Sequence, residues 1–125
     1  MTTGLIYDER FLDHHTGQGH PERPARLTAA LSALDAEPWR RKLIELRPQT
    51  ADLRWIETIH QLDYIRHAQA TCDAGAPFLD TADVAISNAS YDTACLAAGA
   101  GLTLADALIA GRIDAGFTGF SNALP

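Results

Sequence analysis

Hydrophobic and polar positions along the chain change period several times, and each change predicts an element. Thr3-Gly4-Leu5-Ile6-Tyr7 is a short apolar run closed by Asp8-Glu9, the pattern of a buried strand. Residues 8–23 carry no period and hold His14, His15, His20, Gly17, Gly19 and Pro21, which predicts a loop that is long for a compact domain. Long ordered loops are often functional. Pro24 suits the first turn of a helix, where its missing N–H costs nothing. Leu27, Ala30, Leu31 and Leu34 then follow at i, i+3, i+4 and i+7, one helical stripe that Pro38 stops.

Leu43 to Pro48 predicts a second strand, placed at an edge because proline ends it. Thr50 is a candidate N-cap, with Asp52 positioned for the helix dipole, ahead of a short helix marked by Leu53, Ile56 and Ile59. A further helix carries Leu62, Ile65, Ala68 and Cys72, and Gly75-Ala76-Pro77 breaks it. Residues 77–86 form another loop. Ser87 or Asn88 opens a long helix that Gly111 closes. Its stripe is expected to be Tyr91, Ala94, Cys95, Ala98, Leu102, Ala105 and Leu108, small enough for close packing on a sheet or helix. Asp114 to Phe117 starts a third strand, and Gly119 to Pro125 has no period. Strand, helix, strand, helices, strand is the order of an α/β protein with parallel pairing.

The 125 residues suffice for one domain, expected to span 1–125. Ten Lys+Arg against 16 Asp+Glu give a net charge of −6. Residues 1–60 hold eight basic and nine acidic side chains (8 − 9 = −1), and residues 61–125 hold two and seven (2 − 7 = −5). No basic face for a nucleic acid backbone is present in that pattern. The hydrophobic share of 46% is ordinary for a globular chain. No apolar run is read as a membrane span, and MTTGLIYDER has no basic, apolar leader. Cys72 and Cys95 are too few for a disulfide framework, so a reduced, cytoplasmic protein is the expectation.

Candidate chemistry is sparse when taken from residue types alone. His14-His15 with His20 supplies imidazoles but no fourth ligand at a recognisable spacing, so hydrogen-bonding or solvent roles are the expectation over metal binding. His60, Asp63 and His67 fall at i, i+3 and i+7, more simply a solvated polar face than a cation site. Cys72 and Cys95 sit on apolar stripes, as inert buried thiols do. Gly99-Ala100-Gly101 lies mid-helix and is better explained by packing than by phosphate binding. No GxSxG, P-loop or GxGxxG motif occurs.

One ordered series is more specific. Tyr7-Asp8-Glu9-Arg10 is followed by His20-Pro21-Glu22-Arg23-Pro24-Ala25-Arg26-Leu27, then by Ile59-His60-Gln61-Leu62-Asp63-Tyr64-Ile65. Asp83 to Tyr91 (DVAISNASY) and Ala97-Ala98-Gly99-Ala100 complete it. The series resembles the N-terminal portion of the histone deacetylase and acetylpolyamine amidohydrolase family, over residues 4–117. The resemblance implies a three-layer α/β/α, arginase-like fold with a parallel sheet, of which this chain holds a helix-rich part with about three strands. It implies a zinc ion that polarises an acetamide carbonyl and activates water. By the same resemblance His20 and Pro21 line the substrate entrance, Asp83 accepts hydrogen bonds from the substrate backbone at the rim, and Arg26 borders an inner cavity through which acetate leaves. Other readings of these residues are a turn shaped by His20-Pro21 and an Arg26 paired with Glu22 on the helix surface.

The family's PPGHH turn is expected after the third strand, where this sequence has FTGFSNALP, with Leu124-Pro125 a possible edge of that turn. The zinc ligands and the catalytic histidine pair have no counterpart in residues 1–125. A truncated N-terminal segment is therefore expected, with no catalytic or metal residues of its own and no turnover alone. Its substrate, an acetylated amine or peptide, would need the rest of the domain. The rival reading is a stand-alone, non-catalytic binding or self-association module derived from that fold.

Overall fold

The computed structural model describes residues 1–119; Leu124-Pro125 lies outside them. Three strands, β1 (Thr3–Ile6), β2 (Ile44–Leu46) and β3 (Ala115–Thr118), form a parallel sheet in the order β2-β1-β3. The central β1 is the most apolar strand, and β2 lies at an edge, as its proline predicts. Four α-helices connect them: α1 (Pro24–Asp35), α2 (Leu53–Ile56), α3 (Leu62–Asp73) and α4 (Ser90–Ile109). Short 3-10 helices lie at Glu9–Asp13 and Pro38–Lys42. Pro38 thus starts a turn of its own after α1 has ended.

The core sits between the sheet and α4. Ile6, Phe11, Leu27, Leu96, Ala97, Ala100, Leu104, Ala107 and Ile113 form one buried cluster. A smaller cluster joins Ala68 and Cys72 of α3 to Leu79 and Ile86 of the 77–86 loop. That loop is an ordered hairpin, with the Leu79 amide donating to Val84 at 2.9 Å and the Ile86 amide to Pro77 at 3.0 Å.

Several local expectations need correction. Asp52, not Thr50, caps α2: its carboxylate accepts from the Arg54 amide at 3.0 Å. α2 ends at Ile56, and Ile59 lies beyond it, 81% exposed. Neither Ser87 nor Asn88 caps α4, which begins at Ser90 with Ala89 as its cap. Its far end is as expected: Gly111 takes φ +68° and donates to the Leu108 carbonyl, while the Arg112 amide reaches Ala107.

The buried stripe of α4 is displaced around the helix from the expected one. Thr93, Leu96, Ala97, Ala100, Leu104 and Ala107 face inward, whereas Ala98, Ala105 and Leu108 are exposed. Of the expected stripe only Cys95 is buried. The helix is apolar almost all round, so its pattern has no single phase. It is also, at 20 residues, long and apolar enough to cross a bilayer by length and composition. Packing on β1 and β3 accounts for the apolarity of its inner face, and the outer face is apolar and exposed.

Candidate functional site

The carboxyl end of β1, a place where α/β folds put ligands, leads into the loop that carries His20 and Pro21, whereas Asp83 lies in the α3–α4 connection and Arg26 in α1. The 8–23 loop leaves β1 and is tied down by its own polar groups. Asp8 accepts from the Arg10 amide at 2.9 Å and from its guanidinium at 2.8 Å. That side-chain bond holds the Asp8 carboxyl below its ordinary pKa. Further on, the Glu22 amide donates to His20 Nδ1 at 3.0 Å, and Thr16 Oγ1 donates to the Glu22 carbonyl. His20 and Pro21 therefore do shape a turn, with the His20 ring half-buried at its edge.

Arg26 stands in the first turn of α1 and is exposed. It makes no ion pair to Glu22 or any other acid among the described residues. Instead Arg23 and Arg26 border a cleft of about 530 Å³ between α1 and β3, whose apolar lining includes Leu5, Leu27, Leu31 and Phe117. Glu37 and Thr118 also line this mostly apolar cleft, and its two guanidinium groups against one carboxylate leave it net positive, which suits a small carboxylate. Asp83 lies exposed near the tip of the 77–86 hairpin, which the burial of Leu79 and Ile86 anchors.

The structure brings the His20 loop and the Asp83 segment side by side. The His15 amide donates to Ser87 Oγ at 3.2 Å, and His14 Nδ1 lies 2.6 Å from Ser90 Oγ. Both serines lie in the DVAISNASY stretch, but no sequence signal marks their pairing with the loop, since His14 and Ser90 stand 76 positions apart. Arg26, by contrast, lies on the α1–β3 cleft.

The remaining candidates stay apart from any metal geometry. His60 precedes α3 and stacks against Tyr64 at 5.5 Å, while His67 Nε2 contacts Asp80 Oδ1 at 2.7 Å on the surface. Among the described residues, no three His, Cys, Asp or Glu side chains are placed to hold a metal ion. These residues therefore do not fit a zinc site. Cys72 and Cys95 are free, buried thiols, with burial pushing both pKa values up, which makes them poor nucleophiles.

Comparison with known proteins decides the family. The histone deacetylase domain matches residues 20–121. The chain belongs to that family. A probable deacetylase of Archaeoglobus fulgidus is 30% identical over 111 residues, covering 87% of this chain and 30% of the relative. The human polyamine deacetylase HDAC10 is 29% identical over 125 residues, covering 93% of this chain and 19% of the relative. The crystal structure of the HDA15 HD domain superposes with a TM-score of 0.77 and 27% identity, over 94% of this chain and 35% of that one. The three-stranded parallel sheet and its helices thus correspond to a part of the deacetylase α/β fold, and the chain spans under a third of these curated relatives. The deacetylase match opens at His20, the first residue of HPERPARL.

Proposed function

We propose that this chain forms one wall of a zinc-dependent deacetylase domain acting on acetylated amines, either acetyl-lysine or an acetylpolyamine. The observation that carries the reading is the deacetylase-family stretch HPERPARL folded so that Arg26, without an acidic partner among the described residues, opens on the α1–β3 cleft. Zinc in such a domain would be held by residues other than those described, since these do not fit it. His20 and Pro21 border the entrance, Asp83 accepts hydrogen bonds from the substrate at the rim, and the Arg26 guanidinium holds the carboxylate product. The free thiols of Cys72 and Cys95 support a reducing, cytoplasmic setting.

The test joins residues 1–119 to the remaining part of a related deacetylase domain and measures turnover of acetylated substrates. Arg26→Ala is expected to lower kcat, and Asp83→Ala to raise KM with little change in kcat. Unchanged kinetics in both variants would remove these assignments.

A second reading, self-association through uncovered apolar surface, is favoured by one observation. Trp55 (48% exposed) and Ile59 flank a groove of about 420 Å³ between the α2–α3 segment and α4. Light scattering distinguishes it: concentration-dependent growth in mass supports association, and a stable monomer at high concentration opposes it.

A further inference from the structure

His14 is only 4% exposed, although His15, Gly17, Gln18 and Gly19 beside it are exposed. Its ring is held at the start of α4. Nδ1 lies 2.6 Å from Ser90 Oγ, an atom that already accepts the Ser87 amide at 2.8 Å and lies 3.2 Å from Ser87 Oγ. Ser87 Oγ in turn takes the His15 amide and reaches the Asp13 carbonyl. These polar groups together join the 8–23 loop to the segment entering α4, and a single imidazole closes the set.

We propose that His14 is a proton-operated clasp: with a neutral ring it ties the 8–23 loop to the start of α4, and protonation loosens that tie. In the neutral tautomer protonated at Nε2, Nδ1 accepts from the Ser90 hydroxyl. A proton on Nδ1 reverses that bond and places a second donor on Ser90 Oγ. It also places a cation at the N-terminal end of a 20-residue helix, where the dipole opposes positive charge. Burial, the largest influence, holds the ring below the ordinary histidine pKa. Glu22 pulls the other way, and His15 and His20 add to the lowering. Asp13 and Asp92, the nearest acids along the loop and in the first turn of α4, are both solvent-exposed.

Below about pH 6.5 the unfolded chain binds a proton at this histidine that the folded chain refuses. Stability is therefore lost as pH falls from that value through the lower folded one. The clasp stands on the fold alone, independent of the deacetylase reading; within that reading it would make the order of the His20 loop depend on pH.

The experiment is an NMR titration of the five histidine rings in the 125-residue chain, from about pH 7.5 to about pH 5. The clasp requires His14 to titrate below the ordinary histidine value, with the His15 and Ser87 amide signals moving along its curve and the melting temperature falling over the same window. His14→Gln keeps an acceptor for Ser90 that does not titrate, and should remove both pH responses, whereas His15→Gln should keep the melting response. Ser90→Ala should uncouple the Ser87 amide from the His14 curve. The proposal is overturned if His14 titrates at or above the ordinary value, or if the amides ignore its titration. It is equally overturned if His14→Gln retains the pH response; should that variant not fold, the wild-type titration alone decides.

Discussion

Gly99 and Gly101 stand two residues apart on α4 and meet opposite surroundings. A Cβ at Gly99 would fall inside the backbone of the β2–α2 connection, overlapping the Gln49 carbonyl and lying 2.8 Å from the Ala51 nitrogen. At Gly101 nothing lies within 4 Å. The same contrast runs the length of the helix. Its inner face closes on the sheet through Leu96, Ala100, Leu104 and Ala107, while Gly101, Ala105, Leu108 and Ile109 are equally apolar and face solvent. The sheet repeats the lesson. Ile6 is buried under α4, but Phe117, on the α1 side with Leu5, is 63% exposed, and α1 buries only Leu27. One side of this molecule is a finished core, and the other is an apolar surface awaiting cover, as suits a stretch that matches about a third of a larger deacetylase domain.

The sharpest way to break this comparison is Gly99→Ala. The clashing atoms are backbone, with no rotamer to yield, so a loss of about 3 kcal/mol in urea unfolding is expected; a change below about 0.5 kcal/mol would mean that the α4 crossing is wrongly placed. Leu96→Ala should cost a comparable amount, on the order of 3 kcal/mol. Leu108→Ala, on the open face, should cost under about 0.5 kcal/mol by the same measurement. Equal losses at the two leucines would erase the distinction between the faces. Gly101→Ala should stabilise by about 0.5–1 kcal/mol, because it relieves the helix of a flexible residue without meeting an obstacle. The smallest effect concerns Tyr91, half-buried at the groove, whose phenol is pushed up to about 12 by burial first and by neighbouring Cys95 next. A raised pKa means that the folded chain keeps a proton the unfolded chain releases. Stability should therefore fall as pH rises from about 10 through about 12, and Tyr91→Phe should flatten that decline in alkaline melts.

Much of this architecture was legible in the sequence. Pro24 at the first turn of α1, Gly111 at the end of α4 and the parallel α/β order each carry a local or pairwise signal that needs no tertiary context. The phase of α4 was not legible, because nearly every position from Ala94 to Ala100 is small or apolar and any of several stripes fits the period. The inner face is chosen by the fit of Leu104 and Ile113 over Gly116 and Gly4, which only the assembled sheet reveals. The candidate site divides in the same way. HPERPARL marks the family by its residues, but the His14–Ser90 contact joins positions 76 apart and has no local signature. Arg26's freedom from Glu22 likewise depended on where α1 lies.

The most direct measurement of the central claim is acetyl release from acetyl-lysine peptides and acetylpolyamines, with zinc added, by residues 1–125 alone and by the same residues joined to the rest of a related deacetylase domain. Amide hydrolysis needs a bound metal or an equivalent oxyanion stabiliser together with a positioned base, and the described residues assemble no such set. No turnover is expected from residues 1–125 alone, and zinc-dependent turnover, lowered by Arg26→Ala, is expected from the joined domain. Chelator-sensitive product from residues 1–125 alone, abolished by histidine-to-alanine changes within them, would contradict that claim.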